Sequence, residues 1–188
     1  MRLVTLALSL LVMPTLAVAQ AEALTTKQRL AEKVNAAAKV NNTALIDEYI
    51  RLGGDLNIQD KKGYSPLIFA AYYGHAQLVE TLLKNGANPC LKDQRGNTAL
   101  MGAIFKGNVS VAYKLMNSKC VIGQANKANQ TALMYASLFG RNEIAKKLIQ
   151  QGAEIDAKDL SGESALSVAE KQFNSEMVQL LRGAKSRD

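Results

Sequence analysis

Histidine, cysteine and tryptophan are the scarce residues of this chain: one histidine, two cysteines and no tryptophan in 188 residues. One imidazole and two dispersed thiols cannot supply the four closely spaced ligands of a closed zinc site. A Cys–His nucleophile needs a thiolate held by a neighbouring ring, and nothing in the spacing places His75 beside Cys90 or Cys120. No Gly-rich phosphate loop is present. Lys and Arg outnumber Asp and Glu by 23 to 16, yet never form a block of five or six, which excludes a polybasic tail. Beyond the first segment no apolar run is long enough to cross a membrane.

That first segment reads as a signal peptide over residues 1–19. Arg2 gives a positive start, residues 3–16 are apolar, and Ala17 and Ala19 put small residues where a peptidase reads them. Cleavage is expected after Ala19, with Ala21 as a second option, leaving no transmembrane segment. Pro14 and a span of about 17 residues argue against an uncleaved anchor. Removing Arg2 lowers the formal net charge from +7 to +6. Export permits a disulfide between Cys90 and Cys120, worth about 3 kcal/mol if unstrained.

What the chain does have is a motif that recurs every 33 residues. Gly63, Ser65 and Leu67 return as Gly96, Thr98 and Leu100, as Asn129, Thr131 and Leu133, and as Gly162, Ser164 and Leu166. Ala70, Ala103, Ala136 and Ala169 keep the same step, as do Leu82, Leu115, Leu148 and Leu181. A fixed period of this length marks a solenoid of stacked units. Within residues 60–92, Asp60 to Gly63 is turn chemistry, Ser65 is an N-cap and Pro66 a first helical residue. Gly74 ends a short helix. Leu78, Val79, Leu82 and Leu83 form the buried stripe of a second one, closed by Gly86 with Pro89 beyond.

These residues resemble the ankyrin-repeat pattern, most fully over residues 60–92. The resemblance implies an all-α ankyrin-repeat solenoid of about five helix-turn-helix units with short β-hairpin-like turns. The expected units are 20–59 (a degenerate cap whose leading helix opens at a Thr25–Gln28 capping box), 60–92, 93–125, 126–158 and a shorter C-terminal cap, 159–188. There are departures. The family's helix-opening His is replaced by Ile68, Met101, Met134 and Ser167, Phe173 stands in for the mid-unit Gly, and Lys119-Cys120 replaces a Gly-Ala pair. His75 falls on a structural position of the pattern. Asp156 and Asp159 lie in turns, where backbone hydrogen bonding accounts for them.

The resemblance further implies a partner protein on a concave face built from turn tips and first helices. The residues carried onto it are Lys61, Lys62, Tyr64, Tyr72 and Tyr73; Gln94, Arg95, Asn97, Phe105 and Lys106; Lys127, Ala128, Gln130, Leu138 and Phe139; Leu160, Ser161, Glu163, Lys171 and Gln172. Five of the chain's ten aromatics fall on these twenty positions, together with Lys and Arg, as in protein-binding hot spots. The competing reading is that these aromatics only shield the seams between units. Export rules against single-stranded nucleic acid, which such a composition superficially fits. The expectation is a monomeric, non-catalytic, cofactor-free periplasmic binder of a protein, an acidic one by charge. An immunity protein against a toxin and an accessory factor for an enzyme such as catalase are two roles known in similar proteins. The contrasting reading is an envelope-associated protein on anionic lipid or polymer.

Overall fold

The computed structural model describes residues 13–118 and 122–186, with side chains from residue 26 onward. Ten helices follow one another: α1 Met13–Lys39, α2 Thr43–Arg51, α3 Pro66–Tyr73, α4 Ala76–Lys84, α5 Ala99–Lys106, α6 Val109–Met116, α7 Ala132–Leu138, α8 Asn142–Gln150, α9 Ala165–Lys171 and α10 Ser175–Lys185. They pair as antiparallel hairpins, and each pair stacks on the next, first helix on first helix and second on second. Among the described residues there is no strand; the hairpin-like turns are reduced to isolated bridges, Lys92–Thr98 and Ala125–Thr131.

Each column of the 33-residue step has one physical task. Ser65, Thr98, Thr131 and Ser164 cap the first helices, their hydroxyl oxygens accepting from the N–H of Ile68, Met101, Met134 and Ser167. The absent histidine is therefore not missed at the helix start. Asp60, Asp93, Asn126 and Asp159 brace the turn tips. Each Oδ1 accepts from the N–H groups two and four residues on, at 2.8–3.0 Å. Successive tips are then laced together, Gln94 N–H to Lys62 O, Lys127 to Arg95 and Leu160 to Ala128, at 2.9–3.0 Å. A Cβ on Gly96 would come within 2.7 Å of the Lys127 nitrogen, so the lacing itself demands glycine there.

The core is one continuous cluster along the stack. Leu78, Val111, Ile144 and Met177 form one buried column, and Leu82, Leu115, Leu148 and Leu181 another. Full burial of such a side chain is worth about 1.5–3 kcal/mol. Buried alanines on the first helices (Ala70, Ala103, Ala136 and Ala169) let those helices approach closely.

One expectation needs adjustment. No helix opens at Thr25, because α1 runs unbroken from Met13 through an alanine-rich stretch, placing Thr25 and Gln28 in its interior. Phe173 does replace the glycine, but the backbone keeps the left-handed turn (φ 54°) and leaves the ring 94% exposed. Glu170, in place of a paired small residue, turns to solvent and pairs with Arg182 at 2.7 Å. Lys119 and Cys120 lie outside the described residues. No described cysteine is free. No described helix is long and apolar enough to cross a membrane.

Candidate functional site

Turn tips and first helices together form one face, and its aromatics touch in an unbroken series. Tyr135 meets Phe139 (5.8 Å between ring centroids), Phe139 meets Phe105 edge-on (4.9 Å), and Phe105 stacks on Tyr72 (5.9 Å). Tyr72 continues to Tyr73 (5.2 Å), Tyr73 to Phe69 (6.4 Å), and Phe69 to Tyr64 (5.1 Å). The series crosses two unit boundaries, so the seam-shielding role is real. It does not exhaust these rings: Tyr73 and Phe105 remain 42% and 41% exposed, and Leu138 beside them 37%.

The cations expected on this face, joined by Lys39, which the sequence did not single out, divide into two groups. Lys106 Nζ sits 5.3 Å from the Tyr72 ring centroid, and Lys39 lies 5.7 Å from Tyr73, both within cation–π range. Lys61, Lys62, Arg95 and Lys127 are exposed. None of these takes part in an ion pair among the described residues, where the six pairs use Arg51, Lys84, Lys114, Lys171, Arg182 and Lys185. Nor is Asp93 an open counter-ion, since its carboxylate already accepts from the Arg95 and Asn97 N–H groups and from Asn97 Nδ2. In the last unit Lys171 is neutralised by Glu163 at 2.6 Å. On this face the expected cations outside ion pairs, among the described residues, therefore belong to the second, third and fourth units.

Between Tyr64, Tyr72, Arg95, Phe105, Tyr135 and Phe139 the face dips into an open groove of about 270 Å³. A small polar network lies at one side. Tyr135 donates its hydroxyl to Asn97 Oδ1 (2.9 Å), and Asn126 Nδ2 donates to the same oxygen (2.9 Å) and to Gln130 Oε1 (3.1 Å). Burial pushes the Tyr135 hydroxyl above its usual range, so at neutral pH it stays a donor.

The site-carrying residues of the last unit, Leu160, Ser161, Gln172 and Lys171, contribute no aromatic to this series. Phe69, Tyr135 and Asn126 belong to the face and were not anticipated from the sequence; Phe69 and Tyr135 occupy one repeat column, which was the available signal.

His75 is structural. Its Nε2 lies 2.9 Å from the Lys39 carbonyl oxygen, which makes that nitrogen the protonated one. The equivalent residues of later units do the same work with different chemistry. Asn108 Nδ2 donates to the Ala71 and Tyr72 carbonyls, and Arg141 donates to Ile104 and Phe105. These donors satisfy the orphan carbonyls at the end of the preceding unit's first helix.

The family model described as ankyrin repeats, three copies, matches residues 34–126 and again 107–187. The chain belongs to the ankyrin-repeat family. A search among curated proteins gives no significant match. Ankyrin repeats generally mediate protein–protein interaction and are typically non-catalytic, so a partner protein is the expected ligand of the face described above.

Proposed function

We propose that this ankyrin-repeat protein is an exported, non-catalytic interaction module that works in a bacterial periplasm as a monomer. Residues 1–19 are removed as a signal peptide, Cys90 and Cys120 are joined, and the concave face docks an acidic partner protein. The observation that carries the reading is the coincidence on one face of half-exposed aromatics with the cations that lack counter-ions. Rigid aromatics surrounded by Arg and Lys are what protein hot spots are made of. Unpaired surface charge speeds encounter with an oppositely charged partner. Two roles fit such a module: an immunity protein occluding a periplasmic toxin, and an accessory factor of a periplasmic enzyme such as catalase. The envelope-associated alternative draws on the same cations, but gives the aromatics no task.

The test is Lys61→Glu with Lys62→Glu, beside Tyr73→Ala, in a pull-down from periplasmic extract. Tyr73 suits this better than Tyr72, because Tyr73 is exposed whereas the half-buried Tyr72 ring stacks on Phe105 of the next unit and its truncation costs more stability. Both variants should lose one defined partner while melting close to the parent. Retention of that partner by both sinks the concave-face reading, and release from membranes by modest salt with no defined partner favours the envelope role.

A further inference from the structure

Gly102 lies in the middle of α5, in a column that holds Ala36 in the first unit and Phe69, Tyr135 and Val168 in the others. Nothing in the fold asks for a glycine there. Gly102 is not among the glycines with positive φ, and a Cβ at this position would find only Tyr72, at 3.8 Å, an ordinary contact. A mid-helix glycine is less stable than alanine, because it loses more backbone freedom on folding. What the missing side chain does is leave space. Gly102 lines the groove together with Tyr72, Phe105, Tyr135 and Phe139 and the buried Ile68 and Met101.

We propose that the Gly102 gap is a side-chain pocket for an extended segment of the partner protein, which inserts one aromatic or large aliphatic side chain and carries carboxylates beside it. The proposal rests on the protein-binding reading above and specifies its ligand. Three observations choose this chemistry. The walls are aromatic. The volume, about 270 Å³, falls short of the roughly 300–1,000 Å³ of pockets that enclose a whole small molecule, and suits one side chain with its flanking backbone. The rim carries cations that form no ion pair among the described residues. Arg95 lines the groove and Lys106 sits over Tyr72, while the one carboxylate among the described lining residues, Asp93, has its oxygens engaged by its own turn. A carboxylate next to the inserted ring would meet Arg95, and Gln130, which enters the polar network through its oxygen, offers its amide N–H groups to the segment's backbone.

The chain's lack of tryptophan makes a direct assay available, because all indole emission comes from the probe. The probes are capped Glu-Asp-Trp-Glu-Asp and its neutral counterpart Gln-Asn-Trp-Gln-Asn, titrated with the mature protein, and anionic vesicles of phosphatidylserine in phosphatidylcholine form a separate arm. The acidic probe should bind with a blue-shifted emission, and the neutral one about tenfold or more weaker. Gly102→Leu should abolish the shift. Gly102→Ala should weaken binding while raising the melting temperature by about 2–4 °C, the opposite of what a structural glycine would do. If Gly102→Leu fails to fold, Arg95→Glu takes its place and should remove the preference for the acidic probe. Unchanged binding in Gly102→Leu, equal binding of the two probes, or no binding at millimolar concentration overturns the proposal, as does stronger partition onto vesicles than onto the peptide. Should the peptide fail while the Lys61, Lys62 and Tyr73 variants still lose their partner, the docking face stands and only the pocket is wrong.

Discussion

Two fully buried serines in this solenoid should respond to alanine in opposite directions. Ser65 and Ser137 are each 0% exposed. Ser65 Oγ accepts from the Ile68 N–H at 3.3 Å and caps α3. Ser137, on α7 in the column of Ala71 and Ile104, has a hydroxyl with no hydrogen-bond partner. Leaving such a group buried and unsatisfied costs about 1–3 kcal/mol. Alanine at 137 removes that cost and adds up to about 0.5 kcal/mol of helix propensity. Against this stand the few dispersion contacts of one oxygen, a few tenths of a kcal/mol. Ser137→Ala should therefore stabilise by about 1–2 kcal/mol, which raises the melting temperature by about 3–6 °C for a chain of this size. Ser65→Ala loses a cap and should destabilise by about 1 kcal/mol. Denaturant titrations at a shared slope, checked by calorimetry, read both differences. A loss of stability in Ser137→Ala would mean that its hydroxyl is satisfied, by an ordered water or a helix carbonyl, and would refute the reasoning.

Two other perturbations probe charge and covalent bracing. Glu80 bridges Lys114 of the next unit (2.5 Å) and Lys84 of its own helix (2.8 Å). These hydrogen bonds and charges lower its pKa from 4.5 to about 2. A depressed carboxylate pKa stabilises above its unfolded value and loses that stabilisation as pH falls toward the folded value. The melting-temperature gap between parent and Glu80→Gln should be constant above about pH 5 and close between about pH 4.5 and 2; a gap that persists at pH 2 contradicts the assignment. For the proposed Cys90–Cys120 bridge, reduction should add the mass of two hydrogens and lower stability by about 3 kcal/mol. An unchanged mass means free thiols.

The fold was legible because, at most columns, one residue type performs one task in every unit. Serine or threonine caps, glycine or asparagine supplies the left-handed turn, and leucine fills the core, so the period is visible as repeated letters. Where the task survives a change of letter, the period disappears from view. His75, Asn108, Arg141 and Asn174 are all side-chain donors to the preceding unit, the first three to its backbone carbonyl oxygens and Asn174 to the Asn142 side-chain oxygen. In the sequence they read as one family histidine followed by drift. The brace of Asp60, Asp93, Asn126 and Asp159 was likewise only half seen, as turn chemistry at Asp60 and Asp159, because Asn126 breaks the run of aspartates while its amide oxygen does the same work.

The candidate site was harder to read for a deeper reason. A regular solenoid offers the same surface at every step, and such a surface cannot hold one partner segment in one register. Specificity requires a departure from the repeat, and a departure looks like noise until its neighbours in space are known. Gly102 is that kind of departure. In the sequence it is a further glycine among glycines used for turns. In the fold it stands between Phe69 and Tyr135 in its column and lines a groove walled by rings from three units, with Arg95 at its rim. A glycine that costs the helix stability, and is required neither by backbone nor by space, has its consequence at the surface it leaves open. The groove is the one consequence of Gly102 that the rest of the molecule does not already explain.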